Sequence, residues 1–338
     1  MRKKDLSVLQ LKDLNLKKKI PIIYSNFKLQ LERFVKKNTF LVAVSGGADS
    51  LALSALSHLY SKEKKNKVHF VLVDHGIRSN SSKESSAVKN LLKKNKIKLK
   101  ILINKKKINK NIQCQAREIR YNLLLDFCNK HKIKFILTGH HRDDQIETFL
   151  IRLSRGSGIQ GLSSMNKVTI LSKKIKLFRP LLDQKKKDLI HIAKNYFKKI
   201  FKDPSNTNKK YLRIKIRHLV KQFEKNGIKH DSIISSINNL ATTRDTLNSY
   251  IEKSEKIYVT KKNNKIFIKY KFFLLENKDV QLKIFNNCIK KISKSYYPPR
   301  AKKTLSLLAR VKSEKKLKAT LGGCVVNKLH DNLIICKE

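Results

Sequence analysis

From Thr39 onward, short and largely apolar runs alternate with longer stretches of mixed character. TFLVAV, VHFVLV, KLKILI and FILT are too short for helices and are expected as buried strands. Between them, SLALSALSHLYSK predicts a helix, as does the segment opened by Ser81-x-x-Glu84, which has the spelling of a capping box. REIRYNLLLDFCNKH carries Ile119, Leu123 and Phe127 at helical spacing and predicts another. Apolar strands separated by helices predict an α/β fold: a parallel sheet with helices on both faces. Ligands of such sheets bind outside the carboxyl ends of the strands, so the residues just after each run are the place to look.

The flanks read differently. Residues 1–38 form a basic lead-in with a short helix around Phe27–Lys37. After about Leu177, RPLLDQKKKDLIHIAKNYF reads as a loop and then a helix, and Asp203-Pro204-Ser205-Asn206 as a turn. A helical run from Arg213 reaches a stop signal at Asn226-Gly227. The boundary is placed there, giving a catalytic domain over 39–226 and a smaller α+β accessory domain over 227–338. The latter is expected to hold a helix over Ile233–Ile251, a strand pair around VTKKNNKIFIKY and a hairpin in TLGGCVVNKLHDNLIIC.

Composition narrows the partners. With 338 residues and 40% apolar content the chain can bury a core, which excludes disorder throughout. Lys and Arg total 78 against 25 Asp and Glu, a net charge of +53, so polyphosphate, nucleic acid or an acidic membrane face is the default partner. Most of that charge is lysine, spread everywhere, and a genome-wide drift toward Lys gives the same statistic. Arginine is more telling at phosphate sites. Nine of the fourteen arginines lie between Arg78 and Arg217. No stretch approaches the roughly 18 apolar residues of a spanning helix, and the N-terminus has no apolar secretion core. The five cysteines form no CxxC, which argues against a disulfide framework or metal ribbon and suits a reducing cytosol and small buried side chains.

Ser45-Gly46-Gly47-Ala48-Asp49-Ser50 follows the first strand and opens a helix. Two glycines let the backbone bring its N–H groups against phosphate oxygens. Ser45 and Ser50 add hydroxyl donors, and the helix N-terminus favours an anion. Asp49 repels phosphate unless a divalent cation lies between them, which implies Mg²⁺. A Walker loop is excluded, because GK[ST] is absent. The SGGxDS string resembles the pyrophosphate loop of the PP-loop ATP pyrophosphatase superfamily, whose members adenylate a substrate with ATP.

Further motifs follow the other strands: Asp74-His75-Gly76-Ile77-Arg78, Gln115-Ala116-Arg117-Glu118-Ile119-Arg120-Tyr121, and Thr138-Gly139-His140-His141-Arg142-Asp143-Asp144-Gln145-Ile146-Glu147-Thr148. Arg155-Gly156-Ser157-Gly158, Arg179-Pro180-Leu181-Leu182 and Asp203-Pro204-Ser205-Asn206 complete the series. On their own, Asp144 and Glu147 share a helix face at i, i+3. They suit Mg²⁺, the ammonium of an amine substrate, or simply a solvated acidic helix start. His140 and His141 alone mark a turn, since zinc wants further ligands at suitable spacing. Arg117 and Arg179 are placed to neutralise phosphate or adenylate charge. Arg120 and Arg155 read equally as surface charges or carboxylate partners.

In this order and spacing the motifs resemble the tRNA(Ile)-lysidine synthetase family over about Phe40 to Arg217. The resemblance implies a PP-loop, adenine nucleotide alpha hydrolase-like fold and a ligase that uses ATP and Mg²⁺. Its substrates would be L-lysine and a tRNA(Ile) with a CAU anticodon. AMP is transferred to the C2 oxygen of the wobble cytidine, and the lysine ε-amine then attacks C2 to give lysidine. It further implies that residues 45–50 hold the phosphates and Asp49 the Mg²⁺. Arg117, His140, Asp144 and Glu147 would be catalytic, with Asp74, His75, Arg78 and Arg179 as further substrate-site candidates. A cytoplasmic homodimer without a membrane partner is also implied. One departure stands out: the family pattern has an Arg-Asn pair where this chain reads Arg213-Ile214-Lys215-Ile216-Arg217. The rival readings are another PP-loop tRNA-adenylating enzyme such as a thiolase, and a non-catalytic tRNA-binding relative.

Overall fold

The computed structural model describes residues 19–77, 80–104, 112–172, 174–201, 212–295 and 298–338, with the side chains of Lys19, Gln113, Cys114 and Phe272 set aside. Arg78, the first 18 residues and Asp203-Pro204-Ser205-Asn206 lie outside the described residues. The chain divides into two compact units, one ending at Asn239 and the other starting at Leu240.

The first unit opens with α1 (Lys19–Phe34), longer than its sequence suggests because Pro21 falls in the first turn, where its missing N–H costs nothing. Then β1 (Phe40–Val44), α2 (Ala48–Lys64), β2 (Val68–Asp74), α3 (Ser81–Lys94), β3 (Leu99–Ile103), α4 (Ile112–Lys130) and β4 (Phe135–Leu137) follow in strict alternation. Next come α5 (Arg142–Leu153), the one-turn α6 (Ile159–Leu162), β5 (Val168–Ile170), β6 (Lys176–Phe178), α7 (Lys186–Phe197) and α8 (Leu212–Lys225). The sheet order is β3-β2-β1-β4-β6-β5, parallel except for the edge pair β5–β6.

Alternation along β1 shows how the layers form. Phe40, Val42 and Val44 join a core with Leu51, Leu53 and Leu56 of α2, Phe27 and Leu31 of α1, and Leu189 and Ile192 of α7. Leu41 points the other way, with Val71 and Ile136, onto Leu124 and Cys128 of α4. The sheet is thus covered on both faces, as its apolar strands require. From β1 the chain runs outward to β2 and β3, then crosses back to β4 on the other side of β1. That reversal opens a crevice between the loops following β1 and β4.

The second unit contains most of α9 (His230–Tyr258), then β7 (Val259–Lys262), β8 (Lys265–Lys269), α10 (Tyr270–Phe273), α11 (Lys278–Ser293), α12 (Ala301–Ser313), β9 (Leu317–Thr320), β10 (Cys324–Leu329) and β11 (Asn332–Lys337). Its sheet, β7-β8-β11-β10-β9, is antiparallel. Asn263 and Asn264 both have positive φ, the requirement of a two-residue hairpin turn. Ile284, Phe285 and Ile289 of α11 and Leu308 and Val311 of α12 pack on Ile268, Val326 and Ile335. Cys288 and Cys324 sit in this core, as Cys128 does in the first unit, and burial pushes the Cys128 and Cys288 thiols up to about 12.

Three sequence expectations need correction. The N-cap of α3 is Asn80, with no side-chain cap bond, and Ser81 is already helical, so the capping box at Ser81 and Glu84 does not form as spelled. The strands β5 and β6 were not anticipated, each being three residues long. The helix stop at Asn226-Gly227 does end α8, but the compact units part later, inside α9. The first turns of α9 belong to the first unit, where Ile233 and Ile234 pack with Ile216 and Val220 of α8. Among the described residues no helix is long and apolar enough to cross a membrane.

Candidate active site

The bend after β1 is built by its glycines. Gly46 has φ +85, the left-handed region, and a Cβ there would also meet Val88 Cγ2 at 2.6 Å. Gly47 is the N-cap of α2 and brings no side chain to cap it, which leaves the first amides of the helix open to an anion. Ser50 Oγ accepts from the Ser45 amide at 3.1 Å and from Ser45 Oγ at 3.1 Å, and donates to the Gly47 carbonyl at 3.0 Å. Ala48 starts the helix and Asp49 occupies its first turn.

Across the crevice, the loop after β4 presses on this bend. Thr138 Oγ1 lies 2.8 Å from His140 Nδ1. His141 caps α5: its Nδ1 accepts from the Asp143 amide at 3.2 Å, while Asp144 Oδ2 accepts from the His141 amide at 3.1 Å. With Nδ1 accepting, the ring proton belongs to Nε2, which stands 3.5 Å from Asp49 Oδ2 and 3.5 Å from Asp144 Oδ2. Asp49 Oδ1 is buried and has no hydrogen-bond partner among the described residues.

The electrostatics follow from these contacts. Burial alone would lower the His141 pKa, but the bond to Asp49 and the charges of Asp144, Asp49 and Asp143 together raise it. His140 goes the other way: burial pushes it down to about 3, the Arg179, Arg117 and Arg213 charges add to that, and Asp144 opposes it. The carboxylates around His141 thus favour a proton on its ring, while burial and the neighbouring arginines disfavour one on His140. Burial raises the Asp144 pKa, yet His141, Arg213 and His140 outweigh it and hold the carboxyl below its usual range.

A clamp fixes α5 to α8. Arg213 donates Nε to Glu147 Oε2 at 2.6 Å and Nη2 to Asp144 Oδ1 at 2.9 Å, and Arg217 donates Nε to Glu147 Oε1 at 2.6 Å. Glu147 is 3% exposed and its two oxygens are both taken. The i, i+4 arginines of α8 match the i, i+3 acids of α5, a complementarity visible in the sequence once the two helices are known to be neighbours. Ile214, standing where the family pattern has Asn, is buried.

The other candidates are distributed around this centre. Asp74 is buried and spends its oxygens on the Gly76 amide at 3.0 Å and Ser82 Oγ at 3.3 Å, shaping the turn into α3. Burial and the Arg120 charge lower the His75 pKa, against Asp74, which raises it. Arg117 lies over the Tyr121 ring at 5.0 Å. Buried Arg179 donates Nη1 to the Asn166 carbonyl at 2.6 Å and to Thr169 Oγ1 at 2.8 Å, so it braces the segment leading into β5 while its charge reaches His140. Arg155 is exposed. The sequence missed His141, Arg213 and Arg217 as working parts of the site. Histidine is not among the usual cap residues, so nothing local marked His141 out from His140.

The arrangement joins an amide-lined anion bend, an acid with an unsatisfied oxygen, and a cluster of cations and carboxylates at a sheet's switch point. Residues 16–224 match the model of the PP-loop domain family. The tRNA(Ile)-lysidine synthase of Wolbachia pipientis wMel is 34% identical over 306 residues, spanning 89% of this chain and 71% of that protein. The tRNA(Ile)-lysidine synthase of Orientia tsutsugamushi (strain Boryong) is 32% identical over 328 residues, 93% of this chain and 73% of its own length. Among solved structures, the U34-tRNA thiolase NcsA from Methanococcus maripaludis, with its 4Fe-4S cluster, superposes with a TM-score of 0.56 at 22% identity, covering 65% of this chain and 79% of that one. At that identity the likeness concerns the fold alone.

Proposed function

Because the chain belongs to the tRNA(Ile)-lysidine synthase family, with a PP-loop domain at its core, we propose that it uses ATP to join L-lysine to C2 of the wobble cytidine of a tRNA(Ile) with a CAU anticodon. The cytidine C2 oxygen attacks the α-phosphorus of ATP and pyrophosphate leaves. The lysine ε-amine then attacks C2, AMP leaves with the oxygen, and the amine gives up a proton.

The bend at Ser45–Ser50 receives the phosphates through main-chain amides, as its open helix start supports. Asp49 would hold Mg²⁺: among the described residues its Oδ1 is buried without a partner at the edge of that bend, and Mg²⁺ commonly takes one or two carboxylates together with phosphates. When bound, the ion would offset the charge on the phosphate oxygens. Arg117 adds positive charge near the transferred group. Asp144, kept ionised by His141 and Arg213, suits holding the incoming ammonium better than accepting its proton, because a depressed pKa makes a weak base. Glu147, closed in by two arginines, acts as the pivot that positions Arg213. The target base has to leave the anticodon stack, which costs little in a single-stranded loop. The basic charge of the chain suits the tRNA backbone. A cytoplasmic setting and a homodimeric state belong to the same proposal.

The observation that carries this reading is the convergence of two loops on one carboxylate, Asp49, met from one side by the glycine bend and from the other by His141. The rival thiolase reading is less supported: Cys128, Cys288 and Cys324 are buried in cores, and among the described residues no group of three or more His, Cys, Asp and Glu is set to hold a metal. Purified protein with unmodified tRNA(Ile) of CAU anticodon, ATP, Mg²⁺ and labelled lysine tests the proposal. Label retained on the tRNA with stoichiometric AMP supports it. Binding that merely fades with salt, without transfer, points to the non-catalytic relative instead.

A further inference from the structure

The carboxyl edge of the first sheet carries polar groups that have no hydrogen-bond partner among the described residues. Arg120, on α4, makes neither a hydrogen bond nor an ion pair among the described residues, although Arg117 and Arg213 are close enough for their charges to be felt there. Burial opposes its charge first of all; Tyr121 favours it, and the two arginines oppose it. The acids that would ordinarily answer are committed elsewhere, Asp144 to Arg213 and Glu147 to both Arg213 and Arg217. Next to Arg120, the Tyr121 ring lies under two guanidiniums, 5.0 Å from Arg117 and 5.6 Å from Arg120, and its hydroxyl is buried without a partner. His75 Nδ1, at the end of β2, is also buried and unpartnered, while the His75 carbonyl is held by Asn104 Nδ2 at 3.1 Å.

A sheltered guanidinium without a counter-ion is costly, and so is a buried hydroxyl with nothing to bond. Here both occur together, beside an imidazole atom in the same condition. We propose that Arg120, with the Tyr121 hydroxyl and His75 Nδ1, forms the subsite for the α-carboxylate end of the amino-acid substrate. This rests on the function proposed above. The nucleotide phosphates already have the glycine bend and the start of α2. A flat carboxylate matches the guanidinium fork, and the Tyr121 hydroxyl and His75 Nδ1 are hydrogen-bonding atoms beside it. Arg213 links the two ends: it is bonded to Asp144, where the ε-ammonium is received, and its charge is felt at Arg120. A substrate with a cation at one end and a carboxylate at the other fits that polarity.

The test compares lysine with 1,5-diaminopentane, which keeps the reacting amine and lacks the carboxylate, at saturating tRNA and ATP. Wild type is expected to need far less lysine than diamine. Arg120→Ala should raise the lysine KM about 10- to 100-fold, the loss of a charge-assisted bond, with kcat little changed and the diamine KM unmoved. Arg120→Lys should restore part of the preference. If Arg120→Ala does not fold, Tyr121→Phe, which removes one unpartnered oxygen, carries the same comparison with a smaller rise. Equal losses for lysine and diamine, or a rise confined to the ATP KM or to tRNA affinity, overturn the subsite. A wild type that never transfers lysine sinks the proposed function and the subsite together. Lysine transfer with an unaltered lysine-to-diamine ratio in the variants sinks the subsite alone.

Discussion

Gly139 rests against the backbone of Asp49: a Cβ on Gly139 would stand 2.8 Å from the Asp49 carbonyl oxygen and 3.1 Å from the Ser50 amide nitrogen. The loop after β4 and the first turn of α2 meet there without a side chain between them. The neighbours are main chain, which cannot swing aside as a flexible side chain does. Gly139→Ala is therefore expected to force the two apart, costing about 1–3 kcal/mol of stability and weakening ATP binding at the same time. Thermal melts and nucleotide titration of the same preparation check it; a variant that melts and binds like wild type would mean the contact has slack.

Asp49 separates function from stability. Among the described residues its Oδ1 has no partner, so Asp49→Asn removes a charge that His141 meets only at the other oxygen. Melting is expected to change little, while Mg²⁺-dependent ATP affinity and lysine transfer are lost and tRNA affinity stays near normal. A large fall in tRNA affinity would make Asp49 a structural residue.

Glu147 is expected to matter through the arginines it holds. Glu147→Gln leaves Arg213 and Arg217 facing a neutral amide, at a cost of about 1–3 kcal/mol. That is below the figure for a fully enclosed pair, since both arginines are partly exposed. A double-mutant cycle with Arg217→Met, read by urea unfolding, should show strong coupling. Independent, additive losses would show that the clamp does not act as a unit.

His58 gives the first unit a pH signature remote from the site. It is buried between α2 and α7, sharing a 2.7 Å hydrogen bond with the Tyr196 hydroxyl. Burial, with Lys62 nearby, lowers its pKa to about 4. The unfolded chain takes up a proton near the ordinary value of about 6.5, which the folded protein refuses until about 4. Stability owed to the neutral ring is thus whole above that window and drains as pH falls through it, by a few kcal/mol at most. His58→Gln should flatten the slope of unfolding free energy against pH over that interval, and parallel curves would rule the residue out as its source.

The sheet and the glycine bend are legible in the sequence because each rests on a local pattern with few alternatives. β1, the glycine pair and α2 form one continuous signal, and the apolar runs of β2 and β4 admit no wet face. β5 and β6 are illegible for the opposite reason: Val168–Ile170 and Lys176–Phe178 are shorter than any period, and only the fold lays β6 against β4 and β5 against β6. In the site, Asp49 is a candidate from the glycine bend itself, and His140 and Asp144 are candidates through the family resemblance. His141 could not, because its part depends on which of two adjacent rings turns inward. Arg213 and Arg217 answer Asp144 and Glu147 across 66 to 70 residues, a distance over which only the fold brings charges together.

Ser50 folds the bend back on itself, its hydroxyl taking the Ser45 amide and hydroxyl and giving to Gly47. The recess consequently has its contour before any guest arrives. Little conformational freedom remains to be surrendered on association, so the lifetime of a captured nucleotide is governed by its escape, with no slow moulding of the host beforehand. Mixing experiments should record uptake as a single concentration-dependent phase with nothing sluggish trailing it.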